Sequence, residues 1–289
     1  MNIVQVYKRF PTQEECLKHL EEVRWHGKPV CPYCGSVRVT KFKNEYRYHC
    51  NGCNTSFSVT VRTIFHKTKI DLQKWFLAIS LTLNARKGIS ARQLARDIEV
   101  NKNTGWLMMM RIRKAMREQG QLFEGIIEAD ETYVGGKEKN KHKNDRTKGG
   151  QGRSTKDKAA VFGMLNRGGE VRARKVGKVD ARSLQSLIRS NVKKGSHIIT
   201  DEWGAYNGLD KKDYKHSKVS HGSGQYVVGV AHTNTIESFW SLLKRGIIGQ
   251  YHHVSDRHLN AYINEFCFRY NKRHDDDVFD VLVLKAVTN

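Results

Sequence analysis

Three acidic residues, Asp130, Asp201 and Glu237, stand where an apolar core does not accept a carboxylate without a reason. Asp130 closes a strand-like run that begins at Ile126, and Asp201 closes a later one, Ile198-Ile199-Thr200. Glu237 falls one turn into a helix that starts near Asn234. Neighbouring strands put the first two side chains close together, and the helix can bring the third alongside. The result is an all-oxygen, highly charged pocket that suits magnesium or manganese. Three carboxylates repel one another unless divalent cations offset the charge. Two such ions are what phosphoryl transfer uses, one activating the attacking oxygen and the other stabilising the leaving one. This chemistry needs no covalent nucleophile, and no nucleophile motif is recognisable. Glu128, Glu131 and Glu202, beside the first two acids, read as exposed surface acids rather than ligands.

A second constellation is made of thiols. Cys31-x2-Cys34 and Cys50-x2-Cys53 are separated by 15 residues, the spacing of two zinc knuckles that aim four thiolates at one tetrahedral ion. Gly35 and Gly52 beside the pairs ease the tight turns that knuckles require. With four protein ligands the shell is closed, so this zinc is structural rather than catalytic. Cys16 and Cys267 each lie on an apolar helix face and read as core residues.

The elements that must position these groups follow from periodicity. An amphipathic helix runs from about Thr12 to Arg24 and ends at Gly27 and Pro29. Between the cysteine pairs lie strand patterns at 37–42 and 46–48. From Asp71 the period is helical, with Leu72, Trp75, Phe76, Ile79 and Leu83 on one face. A second helix starts at Ser90, which can cap it in a capping box with Gln93. A third starts near Asn103 and runs to about Arg117 with Leu107, Met110 and Ala115 inward. Three helices with a short turn before the last form a helix-turn-helix. Beyond Gln121 come strands at 126–129, 159–165 and 170–176, a helix at 181–192, and a strand at 197–200, followed by helices at 234–249 and 255–271. Residues 137–158 interrupt this order with nine Lys/Arg against three Asp/Glu and the run Gly149-Gly150-Gln151-Gly152, which is loop chemistry.

Composition narrows the class of partner. Fifty-one Lys plus Arg against 29 Asp plus Glu give a formal charge of +22, a self-repulsion that a polyanionic partner explains. No run approaches the roughly 18 apolar residues of a membrane span, and the N-terminus lacks the pattern of a signal peptide. A cytosolic, reducing home without membrane partners is the expectation.

The strongest pattern surrounds the three acids. Glu128-Ala129-Asp130-Glu131-Thr132-Tyr133-Val134-Gly135-Gly136 and Thr200-Asp201-Glu202-Trp203-Gly204-Ala205-Tyr206 resemble the first two catalytic motifs of the zinc-ribbon-bearing bacterial insertion-sequence transposases, the ISXO-two-like group. The run from His232 to Gly246, including Asn234-Thr235-Ile236-Glu237-Ser238-Phe239-Trp240, looks like the third motif nearly residue for residue. Tyr251-His252-His253 and Phe268-Arg269-Tyr270-Asn271 continue it. The 35 residues between Asp201 and Glu237 are also typical of DDE transposases. The resemblance spans the ribbon through Asn271, and residues 274–289 lie beyond it.

The resemblance implies a multidomain α+β protein: a zinc ribbon with its N-terminal helix over 1–66, a helix-turn-helix over 67–120, and a ribonuclease H-like α/β catalytic domain, a mixed sheet flanked by helices, over 121–289. It implies Asp130, Asp201 and Glu237 as catalytic triad and as ligands of two magnesium or manganese ions, besides zinc on Cys31, Cys34, Cys50 and Cys53. The implied activity is cleavage at the terminal repeats of a mobile element and joining of the 3′-hydroxyl to target DNA. Bringing two ends together requires at least a homodimer on DNA, in the bacterial cytoplasm at the nucleoid. A metal-dependent nuclease and a non-catalytic DNA-binding regulator are the competing classes. In a helix-turn-helix the first turn of the recognition helix meets base edges, which points to Asn101, Lys102, Asn103 and Thr104. Lys244 lies seven residues after Glu237, two turns along nearly the same helix face, where it can grip the same DNA strand. It resembles the basic residue at this position in related transposases. Arg245, about 100° round the helix, reads as a solvated charge.

Overall fold

The computed structural model describes residues 1–43, 45–118, 120–135, 158–209, 213–219 and 232–288. The basic loop expected at 137–158 lies outside the described residues except for Lys158. The chain forms two compact units, Met1–Arg117 together with the residues from His274 on, and Glu118–Arg273.

The first unit opens on a helix that periodicity did not reveal, α1 (Ile3–Arg9). Its capping box is complete: the Asn2 side chain accepts from the Gln5 N–H at 2.9 Å, and the Asn2 N–H donates to Gln5 Oε1 at 2.7 Å. Helix α2 (Gln13–Trp25) buries Cys16, Leu20 and Trp25 and ends on His26 and Gly27, both with positive φ. Strands β1 (Val39–Lys41), β2 (Tyr48–Cys50) and β3 (Thr55–Phe57) form an antiparallel sheet. Tyr48 and Phe57 stack at 5.7 Å, and Trp25 stands edge-on to both at 5.2 and 5.9 Å. Three rings make most of this small core.

Helices α3 (Leu72–Asn84), α4 (Ala91–Asp97) and α5 (Lys102–Ala115) follow. Ser90 caps α4 by accepting from the Gln93 N–H at 3.1 Å, but the Gln93 side chain turns instead to Asp97, so only half of the expected box forms. Asn101 caps α5 through Thr104 N–H at 2.8 Å, which starts the helix at Lys102. The buried face of α5 carries Gly105, Met108, Met109, Ile112 and Ala115, while Leu107 is 45% exposed. The expected stripe is therefore rotated by about one residue. Gly105 sets that rotation, because a Cβ there would lie 2.9 Å from both the Ala91 carbonyl oxygen and the Ala95 Cβ, so only glycine lets α4 and α5 approach this closely. Gly105→Ala gains helix propensity yet is expected to cost about 1–3 kcal/mol through overpacking. Thermal denaturation checks the sign, and a raised Tm would contradict the close approach.

The second unit is built on β4 (Ile126–Gly135), β5 (Lys158–Asn166), β6 (Val171–Val176), helix α6 (Ala181–Asn191), β7 (His197–Asp201), β8 (Lys215–Val219), and helices α7 (Asn234–Gly246) and α8 (Leu259–Asn271). The sheet order is β6-β5-β4-β7-β8, with β4, β5 and β6 antiparallel and β4, β7 and β8 parallel. This is the ribonuclease H-like topology. Alternation splits the sheet into two faces. Ile127, Ala129, Ala160, Phe162, Met164 and Ile198 pack with Leu184 and Ile188 of α6, whereas Val134, Val161 and Leu165 pack with Ile236, Phe239, Trp240 and Leu243 of α7 and with α8.

Helix α9 (Val278–Thr288) belongs to the first unit, where Phe279 meets Phe10 and Phe76 at 6.1 and 5.8 Å. The tail assigned from sequence to the 121–289 domain is thus part of the other unit. Among the described residues no helix is long and apolar enough to cross a membrane.

Candidate active site and metal-binding clusters

Strand register delivers the first two acids. Strands β4 and β7 run parallel with Glu128 opposite Ile199, and two residues further on stand Asp130 and Asp201. Side-chain oxygens of Asp130, Glu131 and Asp201 all lie within 4.8 Å of one another. Asp130 does not end its strand, as its position after an apolar run suggested. Strand β4 continues to Gly135 because β5 pairs with it along its whole length from Ile127.

Each carboxylate is held. Asp130 Oδ2 accepts from Trp240 Nε1–H at 2.9 Å, Asp201 Oδ1 accepts from the Trp203 N–H at 3.0 Å, and Glu131 Oε2 accepts from Tyr206 O–H at 2.7 Å. Glu131, read from sequence as a surface acid, is half-buried in the cluster; Glu202 is exposed. Burial pushes Asp130 up to about 7, with the charges of Glu131 and Asp201 adding to the rise and the Trp240 hydrogen bond opposing it. Oxygen donors, close packing and mutual repulsion fit a magnesium- or manganese-type ion.

A raised carboxyl must lose its proton before it can ligate a metal. Affinity for Mn2+ should therefore increase as pH rises towards about 7, then level off. Calorimetric titration between pH 5.5 and 8.5 checks this, and a flat profile over pH 5.5–7 would contradict it.

Glu237 is exposed in the first turn of α7, where its Oε1 accepts from Thr233 Oγ1–H at 2.9 Å. It stands outside the 4.8 Å group. Three residues later on the same helix is Trp240, already bonded to Asp130. Lys244, a further turn along, has its pKa lowered by desolvation, with the charge of Asp130 opposing the fall and that of Lys158 adding to it. Arg245 Nε donates to the Ser241 carbonyl of its own helix at 3.2 Å.

Glu128 corrects the sequence reading most sharply. It is fully buried, and accepts from the Thr235 and Ile236 N–H groups at 3.0 and 2.9 Å, from Thr235 Oγ1–H at 2.9 Å and from Arg167 Nε–H at 2.8 Å. A carboxylate from a strand thus takes the place of a side-chain cap at the N-terminus of α7, where Thr233 makes no such bond. Alternation with apolar Ile127 and Ala129 sets Glu128 on the same face as Asp130, but by pattern alone that face reads as the solvent side; the packing of α7 is what covers it.

The thiol cluster meets the geometry expected of it. All four sulfurs lie within 4.8 Å of one another, with Cys31–Cys53 at 3.7 Å and Cys34–Cys50 at 3.5 Å. A tetrahedral zinc with bonds of about 2.3 Å needs sulfurs about 3.8 Å apart. Desolvation raises the Cys50 thiol, but the backbone N–H groups of Cys53 and Gly52 together with the neighbouring thiols bring it down to about 6. The same thiol–thiol bonds push Cys34 up to about 12, so the cluster shares its protons among the four sulfurs. Gly35 has φ +75°, as a knuckle turn requires. Gly52 serves differently: a Cβ there would lie 3.0 Å from the Ser36 side chain. Cys16 and Cys267 are buried, in line with a core role. On α5, Lys102 and Asn103 are exposed, Thr104 is half-buried, and Trp106, which sequence reasoning passed over, is 40% exposed on the turn that follows.

A ribonuclease H-like sheet that gathers carboxylates at the level of Asp130 and Asp201 defines a polynucleotidyl-transferase type of domain. Residues 122–271 match the ISXO2-like transposase domain, and residues 11–56 match the transposase zinc-ribbon domain. An uncharacterized protein in transposable element ISH50 of Halobacterium salinarum is 30% identical over 273 residues, 91% of this chain and 92% of that one. An uncharacterized transposase-like protein of Haemophilus influenzae is 28% identical over 93 residues, 32% of this chain and 74% of that one. A solved Mos1 strand transfer complex aligns over 73% of this chain and 74% of that one at 12% identity, with a TM-score of 0.29. The chain belongs to the ISXO2-like transposase family and is a DDE transposase.

Proposed function

We propose that the protein binds the terminal repeats of an insertion sequence, cleaves the element ends to expose a 3′-hydroxyl, and joins that hydroxyl to target DNA. The observation that carries this reading is the carboxylate cluster of Asp130 and Asp201 on adjacent parallel strands, with Trp240 of α7 bonded to Asp130 one turn after Glu237. Asp130, Asp201 and Glu237 are the proposed catalytic residues and would hold two magnesium or manganese ions, which when bound activate the attacking oxygen and stabilise the leaving one. To join Asp130 and Asp201 on the ions, the Glu237 carboxylate would give up the bond it accepts from Thr233. Lys244 holds the phosphate backbone beside the reacting bond.

Cys31, Cys34, Cys50 and Cys53 would hold one zinc with no open position, fixing the ribbon. Lys102, Asn103 and Thr104 at the start of α5 read the major groove of the element end. Asn101 takes part with its amide nitrogen, its oxygen being committed to the helix cap. Two ends in one reaction make the active species at least a dimer on DNA.

The cleavage half is tested with a labelled duplex that carries the element boundary. Magnesium-dependent cutting that leaves a 3′-hydroxyl at the boundary supports the reading, and cutting without regard to sequence contradicts it. For the cation, Lys244→Ala is expected to weaken binding to this duplex and to flatten its salt dependence by about one unit of log–log slope. Equal slopes in a salt titration would remove Lys244 from the interface.

A further inference from the structure

Across β4, β5 and β6 the residues Asp130, Gly163 and Ala173 form one row, each paired with the next. Only the first has a side chain longer than a methyl group. The benzene ring of Trp240 fills the space this leaves: a Cβ on Gly163 would fall 2.5 Å from Trp240 Cη2 and 2.7 Å from Cζ2, with the Ala173 Cβ at 3.4 Å. Trp240 is 4% exposed, and Phe239 beside it, at 5.3 Å, is itself backed edge-on by Tyr270 at 5.5 Å. A ring seated in that slot has one direction for its N–H, and the N–H ends on Asp130 Oδ2 at 2.9 Å.

We infer that Trp240 is a positioning residue for the Asp130 carboxylate, with Gly163 as its socket, and that the seated ring also fixes the rotation of α7. Glu237 and Lys244 lie one turn before and one turn after Trp240, so the same contact indexes both to Asp130. Glu128 pins the start of the helix, and Trp240 fixes the angle at which it lies on the sheet. A packing residue alone would need no donor, and the slot would tolerate any ring of similar size.

The inference rests on the reading of Asp130 as a metal ligand, and the experiment separates the two. Mn2+ affinity is measured by calorimetry for the full-length parent, Trp240→Phe, Gly163→Ala, the double variant and Asp130→Ala, with Tm recorded for each. Loss of an outer-shell partner of a metal ligand lowers affinity roughly 10-fold or more, which is the expectation for both single variants. The double variant should bind no more weakly than Trp240→Phe, because phenylalanine lacks the ring atoms that an alanine at 163 would strike. Trp240→benzothienylalanine fills the slot but carries sulfur in place of N–H; it should keep the parent's Tm and still lose affinity. Parent-like affinity in that variant, or losses that multiply in the double variant, would overturn the inference while Asp130→Ala still abolishes binding. Parent-like affinity in Asp130→Ala would sink the metal-ligand reading and this inference with it.

Discussion

Asp130→Asn should abolish both cleavage and joining while making the metal-free protein more stable. The amide keeps the acceptor for Trp240 Nε1–H but removes one charge from three carboxylates packed within 4.8 Å. Burial first, and then Glu131, raise Asp130 to about 7 from 3.8, so the folded state holds this proton more tightly than the unfolded chain. Its contribution is therefore fully present below about pH 4, is lost as pH rises to about 7, and stays lost above that. At pH 8 the neutral asparagine avoids this loss, a gain of up to about 4 kcal/mol on the three-unit shift. A metal ligand accounts for several kcal/mol of barrier reduction, and at about 1.4 kcal/mol per tenfold its loss slows the reaction roughly a thousandfold or more. Melting curves with and without Mn2+, beside gel assays, check both halves. The parent should gain Tm on adding Mn2+ and the variant should not. A variant that is less stable than the parent at pH 8, or that still joins ends, would show that Asp130 is a structural acid.

The second large effect is on the ribbon. Cys50→Ser, or a strong chelator, should unfold β1, β2 and β3 and leave the helices of the same unit folded. The ribbon core is little more than Trp25, Tyr48 and Phe57, whereas the helices share Phe10, Phe65, Trp75, Phe76 and Phe279. Zinc binding to such sites supplies on the order of 10 kcal/mol, more than three rings can offset. Trp25 then moves from 8% exposure into water, so its fluorescence shifts to the red while helical circular dichroism stays close to the parent's. An unshifted emission after complete removal of zinc would mean the aromatic core holds by itself.

The sequence disclosed these two sites unevenly. The cysteine pairs were legible because all the information lies within two turns and their spacing. Asp130 and Asp201 were legible because an acid directly after an apolar strand run is locally anomalous. Glu128 was not, since its four donors come from Arg167, Thr235 and Ile236, between 39 and 108 residues away, and no local pattern says that a carboxylate will be satisfied at that range. Strand β8, Lys215-His216-Ser217-Lys218-Val219, escaped because an edge strand with charged positions has little apolar alternation to read. Helix α9 is apolar enough to be seen as an element, but its packing on Phe10 and Phe76 is a tertiary choice. Leu107, Met110 and Ala115 make a plausible inward stripe in the sequence, but the close approach at Gly105 turns the helix by a residue and leaves Leu107 outside.

Joining, not cutting alone, separates a transposase from a nuclease, and a strand-transfer assay reads that step. A duplex with a labelled element end and a pre-exposed 3′-hydroxyl is incubated with supercoiled plasmid, magnesium and the full-length protein, and the products are resolved on a denaturing gel and sequenced. Label should become covalently attached to plasmid through the terminal 3′ oxygen, at the element's last nucleotide, with no such product from Asp201→Asn or in the presence of chelator. Efficient boundary cleavage of the intact duplex with no transfer of label to plasmid, under conditions where the ends are bound, would contradict it and identify a nuclease on the same sheet.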